Sequence, residues 1–442
     1  MKKKIIGIFV CMLLLVLIIP VGIQANLRYD PLDGGWVEEI DGVTILHISG
    51  TNYEMGYQNG YLLKDKINEV YRAVLTLAEP GDVEKLLNLW NTSLKQFTPE
   101  EYLVEMQGVA DGSGLTFEDI VILNKFYVFF SMGCTDMAAW GPATLNGELI
   151  HLHSLDWYVM KDPVSGHYVD DNQIMCVRNP DNGFASIYIS FAGGVFAPQG
   201  FNEKNIAVSE DTSGTIDFTW NGTDVDVRFL QVLDHAATAT DAINIMTNNT
   251  NGGVNYIISD GNIPIAYVVE ETANFTYIGT WDDPVESTSP FWSIDHVVRR
   301  RNFFIHPDAA KTQRYVYDLR FSTAPWKIFS SYEFFYVWRY YRTLSREVGK
   351  LWGALELNNT LTMLRSIYRG NTDWYLTWFN FLMTVYTLQH TLQYEIISYN
   401  QWAVCPKTGD IAISFAEGET SAEYTTIHYF NFYNLLKSGP SI

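Results

Sequence analysis

The change in residue pattern at Cys134 constrains the fold more than any other feature of the sequence. Residues 45–132 have mostly helical periodicity, and Thr116 followed by acidic residues is typical of a helix start. From Cys134 to about residue 280 the chain has short runs of β-branched and aromatic residues between glycine-containing turns. Residues 325–397 are again helical in pattern and strongly aromatic, and further strands follow. This order predicts an α+β layered domain with a large antiparallel set of strands.

The first 25 residues are predicted to direct export. Three lysines precede an apolar run from Ile5 to Ile19, and Ala25 provides a small residue at a cleavage point. The run is shorter than the roughly 20 residues that a spanning helix needs. Residues 1–25 are therefore interpreted as a cleaved signal peptide, with an uncleaved membrane anchor as the alternative, and the protein as secreted or extracytoplasmic. Five glycosylation sequons agree with export: Asn91, Asn221, Asn248, Asn274 and Asn358.

Charge and cysteine content exclude several classes of partner. The formal net charge of −21 would repel nucleic-acid phosphates, so no nucleic acid is expected to bind. Outside the leader the cysteines are Cys134, Cys176 and Cys405, an odd number that predicts at least one free thiol. His151 and His153 have no third ligand at a metal-binding spacing. We therefore expect neither a metal nor a cofactor.

A hairpin is predicted directly after Cys134. Residues 138–143 and 148–156 can pair around Asn146-Gly147, because Asn-Gly is a strong hairpin signal. A two-residue loop would place Asp156 opposite Met137, whereas a three-residue loop, 145–147, would place it opposite Asp136 and on the face of Cys134. We predict the three-residue loop or an equivalent bulge.

Cys134 is the candidate nucleophile, but a thiol needs a base or a lowered pKa. No cysteine–histidine–asparagine triad is legible in the sequence. The α-amino group of Cys134 itself, with a reference pKa of about 7.7–8.0, could serve once the Gly133–Cys134 bond is cut. Gly133 permits the strained backbone that such a cut requires. The alternative is that Cys134 is only a small buried apolar residue at a strand start.

Six segments, in order, carry a resemblance to one family. Gly133–Thr144 with Leu155-Asp156-Trp157 resembles the nucleophile hairpin of the penicillin acyltransferase family. These are cysteine N-terminal-nucleophile hydrolases related to acyl-coenzyme A:6-aminopenicillanate acyltransferase. The other segments that resemble this family are residues 53–60, 114–120, 200–209, 255–260 and 405–410. The resemblance extends over about residues 45–320 and 398–432.

The resemblance implies an αββα sandwich of four layers, with the aromatic helical segment 325–397 added to it. It also implies self-cleavage into a mostly helical α chain, residues 26–133 with the pro-segment, and a catalytic β chain, residues 134–442. Cys134 would then be the nucleophile and its freed amine the base. Asp156 would hold the ammonium, Asn255 would donate to the oxyanion, and Thr135 would position the amine or the scissile carbonyl. The alternatives are that Asp156 caps a loop and that Asn255 belongs to a Gly-Gly turn.

One position separates this chain from related branches of the superfamily. The bile-acid hydrolase and ceramidase branches have an arginine three residues before the aspartate, where this chain has His153. His153 would contact substrate or be a satisfied strand histidine. The family also has a functional arginine after the core strands. Its candidates here are Arg299, Arg300, Arg301 and Arg314, of which Arg314 is preferred as a substrate-binding residue.

The substrate is predicted from aromatic bulk in the helical segment. Residues 332–338 and 374–388 carry more apolar side chains than a surface helix needs, although such residues are more often core. They suggest an apolar acyl chain or contact with a membrane surface. We therefore predict hydrolysis or transfer of an N-acyl amide through a thioester on Cys134. The alternatives are a phospholipase-B-like ester hydrolase on the same scaffold and a catalytically silent exported binding protein.

Overall fold

A computed structural model describes residues 30–126, 133–313, 332–372 and 396–440. The leader, Arg314 and the aromatic run 374–388 lie outside the described residues. The strands are β1 (Trp36–Ile40), β2 (Val43–Gly50), β3 (Gly133–Gly141), β4 (Gly147–Tyr158), β5 (Gln173–Pro180), β6 (Ser186–Phe191), β7 (Gln199–Asn202), β8 (Ile206–Thr212), β9 (Val254–Asp260), β10 (Ile265–Glu271), β11 (Thr276–Gly279), β12 (Val297–Arg301), β13 (Ile396–Cys405), β14 (Asp410–Phe415) and β15 (His428–Asn431).

The strands form two sheets. One has nine strands in the order β1-β2-β5-β6-β7-β8-β9-β10-β11, and the other has six in the order β12-β3-β4-β13-β14-β15. Among the described strands, neighbours run antiparallel except β2 and β5, which are parallel. Strand β2 begins at Val43, so the prediction of helical structure from residue 45 was wrong up to Gly50. The β-branched run suits a buried strand, and the helix begins only after the capping residue Thr51.

The described residues form twelve α-helices. They are α1 (Asn52–Leu62), α2 (Lys64–Leu75), α3 (Asp82–Leu89), α4 (Lys95–Phe97), α5 (Glu100–Ser113), α6 (Phe117–Lys125), α7 (Val225–His235), α8 (Ala239–Met246), α9 (Pro307–Ala310), α10 (Tyr332–Leu351), α11 (Leu357–Tyr368) and α12 (Phe432–Lys437). Helices α1, α7 and α8 pack on the nine-stranded sheet, and α10 and α11 pack on the six-stranded sheet.

The two sheets face each other through an apolar layer. Ala138, Trp140 and Leu149 of the six-stranded sheet pack against Ile257 and Val268 of the nine-stranded sheet. With helices on both outer faces, the architecture is a four-layer αββα sandwich, which confirms the predicted fold class. Within 325–397, the described residues form α10 and α11, but Ile396 and Ile397 already belong to β13.

Helices α1 and α5 cross at a distance that only glycine permits. A Cβ on Gly60 would lie 2.4 Å from the carbonyl oxygen of Val109, and one on Gly112 would lie 2.4 Å from that of Tyr57. Real Cβ atoms do not approach backbone so closely. This crossing fixes the helical layer that covers β2.

Replacing Gly60 with alanine should therefore destabilise the fold by about 1–3 kcal/mol, because the added methyl group forces the two helices apart. The free energy of unfolding in urea measures the effect. Gly349→Ala is the matched control, since Gly349 is an exposed glycine in α10 with open space around its Cα. That control should gain up to about 1 kcal/mol from helix propensity. Equal effects at the two positions would contradict the close crossing.

Candidate active site

Cys134 lies in strand β3, which pairs with β4 at this position and with β12 only as far as Thr135. Cys134 lies opposite Leu155, and Asp156 lies opposite Gly133. Because directly opposite residues share a face, Asp156 is on the face of Gly133 and Thr135, not on that of Cys134. The prediction that Asp156 lies opposite Asp136 was wrong.

The reason for this register is a wider loop than predicted. Strand β3 ends at Gly141 and β4 begins at Gly147, with a register shift between Ala139 and Gly141. The hydroxyl of Thr144 donates to the carbonyl of Glu148, and the side-chain oxygen of Asn146 accepts from the Glu148 amide. These side-chain bonds stabilise a five-residue connection, 142–146, which moves Asp156 along β3 by three positions.

Asp156 lies against the residue before the candidate nucleophile. A Cβ placed on Gly133 would be 3.3 Å from both the Cβ and an Oδ atom of Asp156. A larger side chain at position 133 would therefore press on the carboxylate. The carboxylate is thus held beside the Gly133–Cys134 bond, although its side chain and the Cys134 thiol point to opposite faces of the sheet.

Three side chains hold the Asp156 carboxylate. The hydroxyl of Tyr368 donates to it at 2.9 Å, that of Ser154 at 3.0 Å, and the guanidinium of Arg301 at 3.4 Å. Burial raises the pKa of Asp156, and Arg301 and the hydroxyl groups oppose that rise. The carboxylate is therefore buried but has cationic and hydroxyl partners, which favour its charged form.

Thr135 belongs to the same cluster. Its hydroxyl is 2.8 Å from that of Tyr368 and also accepts a hydrogen bond from Arg301, which lies opposite Thr135 in β12. The Arg301 guanidinium stacks 4.7 Å from the ring centre of Tyr340. Thr135 thus bonds both Arg301 and Tyr368, which hold Asp156 from the helix-covered face of the six-stranded sheet.

Of the four arginine candidates, the structure places Arg301 at the site. Arg299 bonds the carbonyl of Trp292, and Arg300 forms ion pairs with Glu286 and Glu270 between the sheets. Arg314, the preferred candidate, lies outside the described residues. Strand alternation turns Arg300 to the other face, and of Arg299 and Arg301, which share a face, only Arg301 lies opposite Thr135.

The thiol of Cys134 faces the nine-stranded sheet and is fully buried. Burial, and then the carboxyl groups of Asp211, Glu210, Asp136 and Asp156, raises the pKa of this thiol well above its usual value. The thiol is therefore protonated in the uncut chain and needs a strong local base to become a nucleophile.

His153 is not that base. It is fully buried between the sheets, where its Nε2 donates to the carbonyl of Glu210 at 3.1 Å and lies 3.7 Å from Asp136. Burial lowers the pKa of His153 to about 3. Its position opposite Asp136 inside the sandwich is that of a strand histidine, with no exposed surface for a substrate in this form.

Asn255 lies close to the end of β12. Its side-chain amide donates to the carbonyls of Arg301 and Phe303 and to the hydroxyl of Ser213, at 2.8–3.0 Å. Both of its amide hydrogens are thus engaged in the uncut chain. Donation to an oxyanion would require one of these bonds to be released.

Asn302 was missed by sequence reasoning. Its side-chain oxygen accepts a hydrogen bond of 3.3 Å from the backbone nitrogen of Cys134. Its side-chain nitrogen donates to a carboxylate oxygen of Asp211 and to the carbonyl of Thr212. The signal available in the sequence was its position directly after the arginine run 299–301.

Tyr368 was also missed by sequence reasoning, since 212 residues separate it from Asp156.

Replacing Tyr368 with phenylalanine removes one hydroxyl group that hydrogen-bonds to Asp156, Thr135 and Arg301. We expect a loss of about 1–3 kcal/mol in unfolding free energy, because buried polar partners lose a hydrogen bond. Urea denaturation measures this loss. Tyr433→Phe, which removes a bond to Asn205 at the far side of the sandwich, should cost less. Equal losses would argue against a tight cluster at Asp156.

The described residues contain free cysteines but no candidate metal centre. Cys134, Cys176 and Cys405 are free and buried, which confirms the expectation of a free thiol. Within the described ranges, no group of three or more histidine, cysteine or acidic residues could hold a metal ion. Nor does any helix of these ranges have the length and apolar character to cross a membrane.

Comparison with known proteins gives partial matches. No family model matches the chain. Protein dcd1B of Dictyostelium discoideum is 29% identical over 144 residues, covering 27% of this chain and 29% of that protein. An uncharacterized protein of Archaeoglobus fulgidus is 26% identical over 264 residues, covering 51% of this chain and 43% of that protein. The match thus spans less than half the length of these curated relatives.

Solved structures give weak likenesses. An N-acylethanolamine-hydrolyzing acid amidase ortholog of Caenorhabditis elegans has a TM-score of 0.36 and 14% identity, covering 62% of this chain and 93% of that one. A mutant of the conjugated bile acid hydrolase of Clostridium perfringens has a TM-score of 0.37 and 11% identity, covering 68% of this chain and 93% of that one. Penicillin V acylase of Agrobacterium tumefaciens has a TM-score of 0.33 and 11% identity, covering 69% and 87%. Scores this low carry no argument, so the fold assignment rests on the layers described above.

Proposed function

We propose that the chain is a self-processing cysteine hydrolase or acyltransferase that acts on an N-acyl amide. The observation that carries the proposal is the packing of the Asp156 carboxylate against Gly133, directly beside a buried cysteine. A carboxylate in that place suits a positive charge on the nitrogen of Cys134. The penicillin acyltransferase resemblance of the sequence supports the same assignment.

Self-cleavage would begin at the Gly133 carbonyl. The Cys134 sulfur adds to the carbonyl carbon, the carbon–nitrogen bond breaks, and the thiol proton ends on the departing nitrogen. Water then hydrolyses the resulting thioester, which releases the Gly133 carboxylate and leaves Cys134 with a free amine. The thiol, whose pKa is raised in the uncut chain, thereby gains a neighbouring base.

Turnover would use the same atoms. The amine takes the thiol proton, the thiolate attacks the acyl carbonyl, and the ammonium returns the proton to the leaving amine. Water or a second amine then resolves the thioester. Asp156 holds the ammonium form, and Arg301, Tyr368 and Thr135 hold Asp156.

Intact mass spectrometry of the wild type and of Cys134→Ala tests the proposal. The wild type should give two fragments that meet at Gly133–Cys134, and the variant one chain.

Fluorogenic N-acyl aminocoumarin amides from acetyl to palmitoyl, each with its matched ester, would then define the substrate. Uncut wild type without turnover would favour a silent binding protein. Turnover of the ester alone would favour the lipase alternative.

Export is part of the proposal. The asparagines of all five sequons are exposed, so each is accessible to glycosylation: Asn91, Asn221, Asn248, Asn274 and Asn358. The mass removed by an N-glycosidase from the secreted protein would test this. An unchanged mass of protein recovered from the medium would count against glycosylation.

A further inference from the structure

The pairing of strand β12 with β3 ends at Thr135, so β12 provides no backbone hydrogen-bond acceptor for the nitrogen of Cys134. The two strands pair from Ala139 to Thr135, and β12 ends at Arg301. The amide of Phe303 then bonds back to the carbonyl of Arg301, which closes a tight turn around Asn302. The next acceptor for β3 is therefore a side chain, the Oδ1 of Asn302, at 3.3 Å from the Cys134 nitrogen.

The orientation of the Asn302 amide is set by its other end. Its Nδ2 donates to the Asp211 carboxylate and, at 2.9 Å, to the carbonyl of Thr212. An asparagine amide has one acceptor end and one donor end, so anchoring Nδ2 turns Oδ1 toward Cys134. Asp211 is itself fully buried and lies opposite Asn255 in the β8–β9 pair.

We propose that Asn302, oriented by Asp211, is a positioning residue for the nitrogen of Cys134 before and after cleavage. This inference rests on the proposed function. A freed amine rotates about its bond to Cα, and it can take the thiol proton only when its lone pair points at sulfur. Asp156 approaches from the Thr135 face, and Asn302 accepts from the side of β12. Two acceptors in two directions leave the third direction for the thiol.

Four acidic residues and one arginine lie around Cys134. Asp136 on β3, Asp156 on β4, Glu210 and Asp211 on β8 and Arg301 on β12 all influence the charge around Cys134. A single new acidic side chain would therefore act on a background that already contains four carboxyl groups, and burial raises the pKa of each of the four. Exchanging the two partners, Asn302→Asp with Asp211→Asn, keeps the number of carboxylates constant and moves one toward the amine.

The experiment compares Asn302→Ala, Asp211→Asn, the exchanged double variant and Asn262→Ala. Asn262, in the exposed turn after β9, is the control for loss of an asparagine that bonds a carbonyl. The readouts are the rate of chain cleavage and the pH profile of kcat and kcat/KM on the aminocoumarin amide that the wild type cleaves fastest. Circular dichroism checks folding.

We expect Asn302→Ala to slow cleavage and kcat by about tenfold or more, with little change in KM, because the Cys134 nitrogen is the leaving group in cleavage and the base in turnover, and its misplacement costs rate in both. Asp211→Asn, which replaces the acidic acceptor of Nδ2 by a neutral amide and leaves the Thr212 carbonyl in place, weakens the anchor and should show the same trend to a smaller extent. The exchanged variant should move the acid limb of the pH profile upward by about one pH unit, because a carboxylate raises the pKa of a neighbouring amine. Asn262→Ala should behave as wild type.

A folded Asn302→Ala that stays uncut, while Asn262→Ala is cut, also supports the inference. Cleavage and kcat within twofold of wild type in both Asn302→Ala and Asp211→Asn, with an unmoved acid limb in the exchanged variant, would overturn it. Should Asn302→Ala fail to fold, Asp211→Asn and the exchanged variant decide. A wild type that is neither cut nor active would instead refute the proposed function.

Discussion

Replacing Asp156 with asparagine is expected to lower both self-cleavage and kcat by about a hundredfold or more. The Cys134 nitrogen takes up a proton as the leaving group of self-cleavage and again as the base in turnover, and the variant removes the carboxylate that would hold that positive charge. Asparagine has nearly the same shape as aspartate, so packing against Gly133 is retained. It is neutral, however, and its amide nitrogen would meet Arg301 or Tyr368 where an oxygen now accepts. The rate of chain cleavage by mass spectrometry and kcat on the amide substrate measure the loss.

Asp162→Asn is the matched control. Asp162 is also a buried carboxylate and accepts two hydrogen bonds from Arg72, at 2.9 and 2.7 Å, in the loop after β4. Its replacement should lower stability while leaving self-cleavage intact. If both variants cleave at the wild-type rate, Asp156 has a structural role only.

Replacing Arg178 with methionine is expected to destabilise the fold by about 3–5 kcal/mol, because it leaves two carboxylates buried without their cation. Arg178 is fully buried in β5 and bonds Glu105 of α5 at 2.5 and 2.8 Å and Asp234 of α7 at 3.0 and 3.1 Å. The loss is measured by urea denaturation of the purified protein.

The triple variant Arg178→Met, Glu105→Leu and Asp234→Leu distinguishes the cause. Replacing a buried ion pair by apolar residues of similar size is often neutral, so the triple variant should recover much of the loss. Lys85→Met is the exposed control, since its pair with Asp82 lies on the surface, where solvent screens it, and should contribute little to stability. A loss at Arg178 no larger than at Lys85 would contradict a charged buried cluster.

The positions of individual helices and strands could be predicted from the sequence better than the contacts between them. The capping box at Thr116 and Asp119 is local, and the structure has it where the pattern placed it. Strands β4, β6 and β10 likewise follow from β-branched runs between turns. Such signals depend on neighbouring residues, which a single sequence displays.

Features of the site that depend on the detailed conformation of a loop or on residues distant in sequence could not be predicted from the sequence. The register of Asp156 depends on side-chain bonds made by Thr144 and Asn146, which the Asn-Gly pattern does not encode. Arg301 could be selected from its run only once its place opposite Thr135 was known. Asn302 reaches the Cys134 nitrogen across 168 residues of sequence.

The parallel pairing of β2 with β5 has a consequence for how the protein could reach its active form. Strand β2, from before Cys134, lies between β1 and β5 inside the nine-stranded sheet. Cleavage at Gly133–Cys134 would turn this pairing into an association of two polypeptides. Recovery from denaturant would then be second order and depend on protein concentration, whereas the uncut chain would refold in a first-order process. The uncut chain would thus be the form that folds efficiently. The cut protein would remain folded because it unfolds slowly, not because it refolds readily.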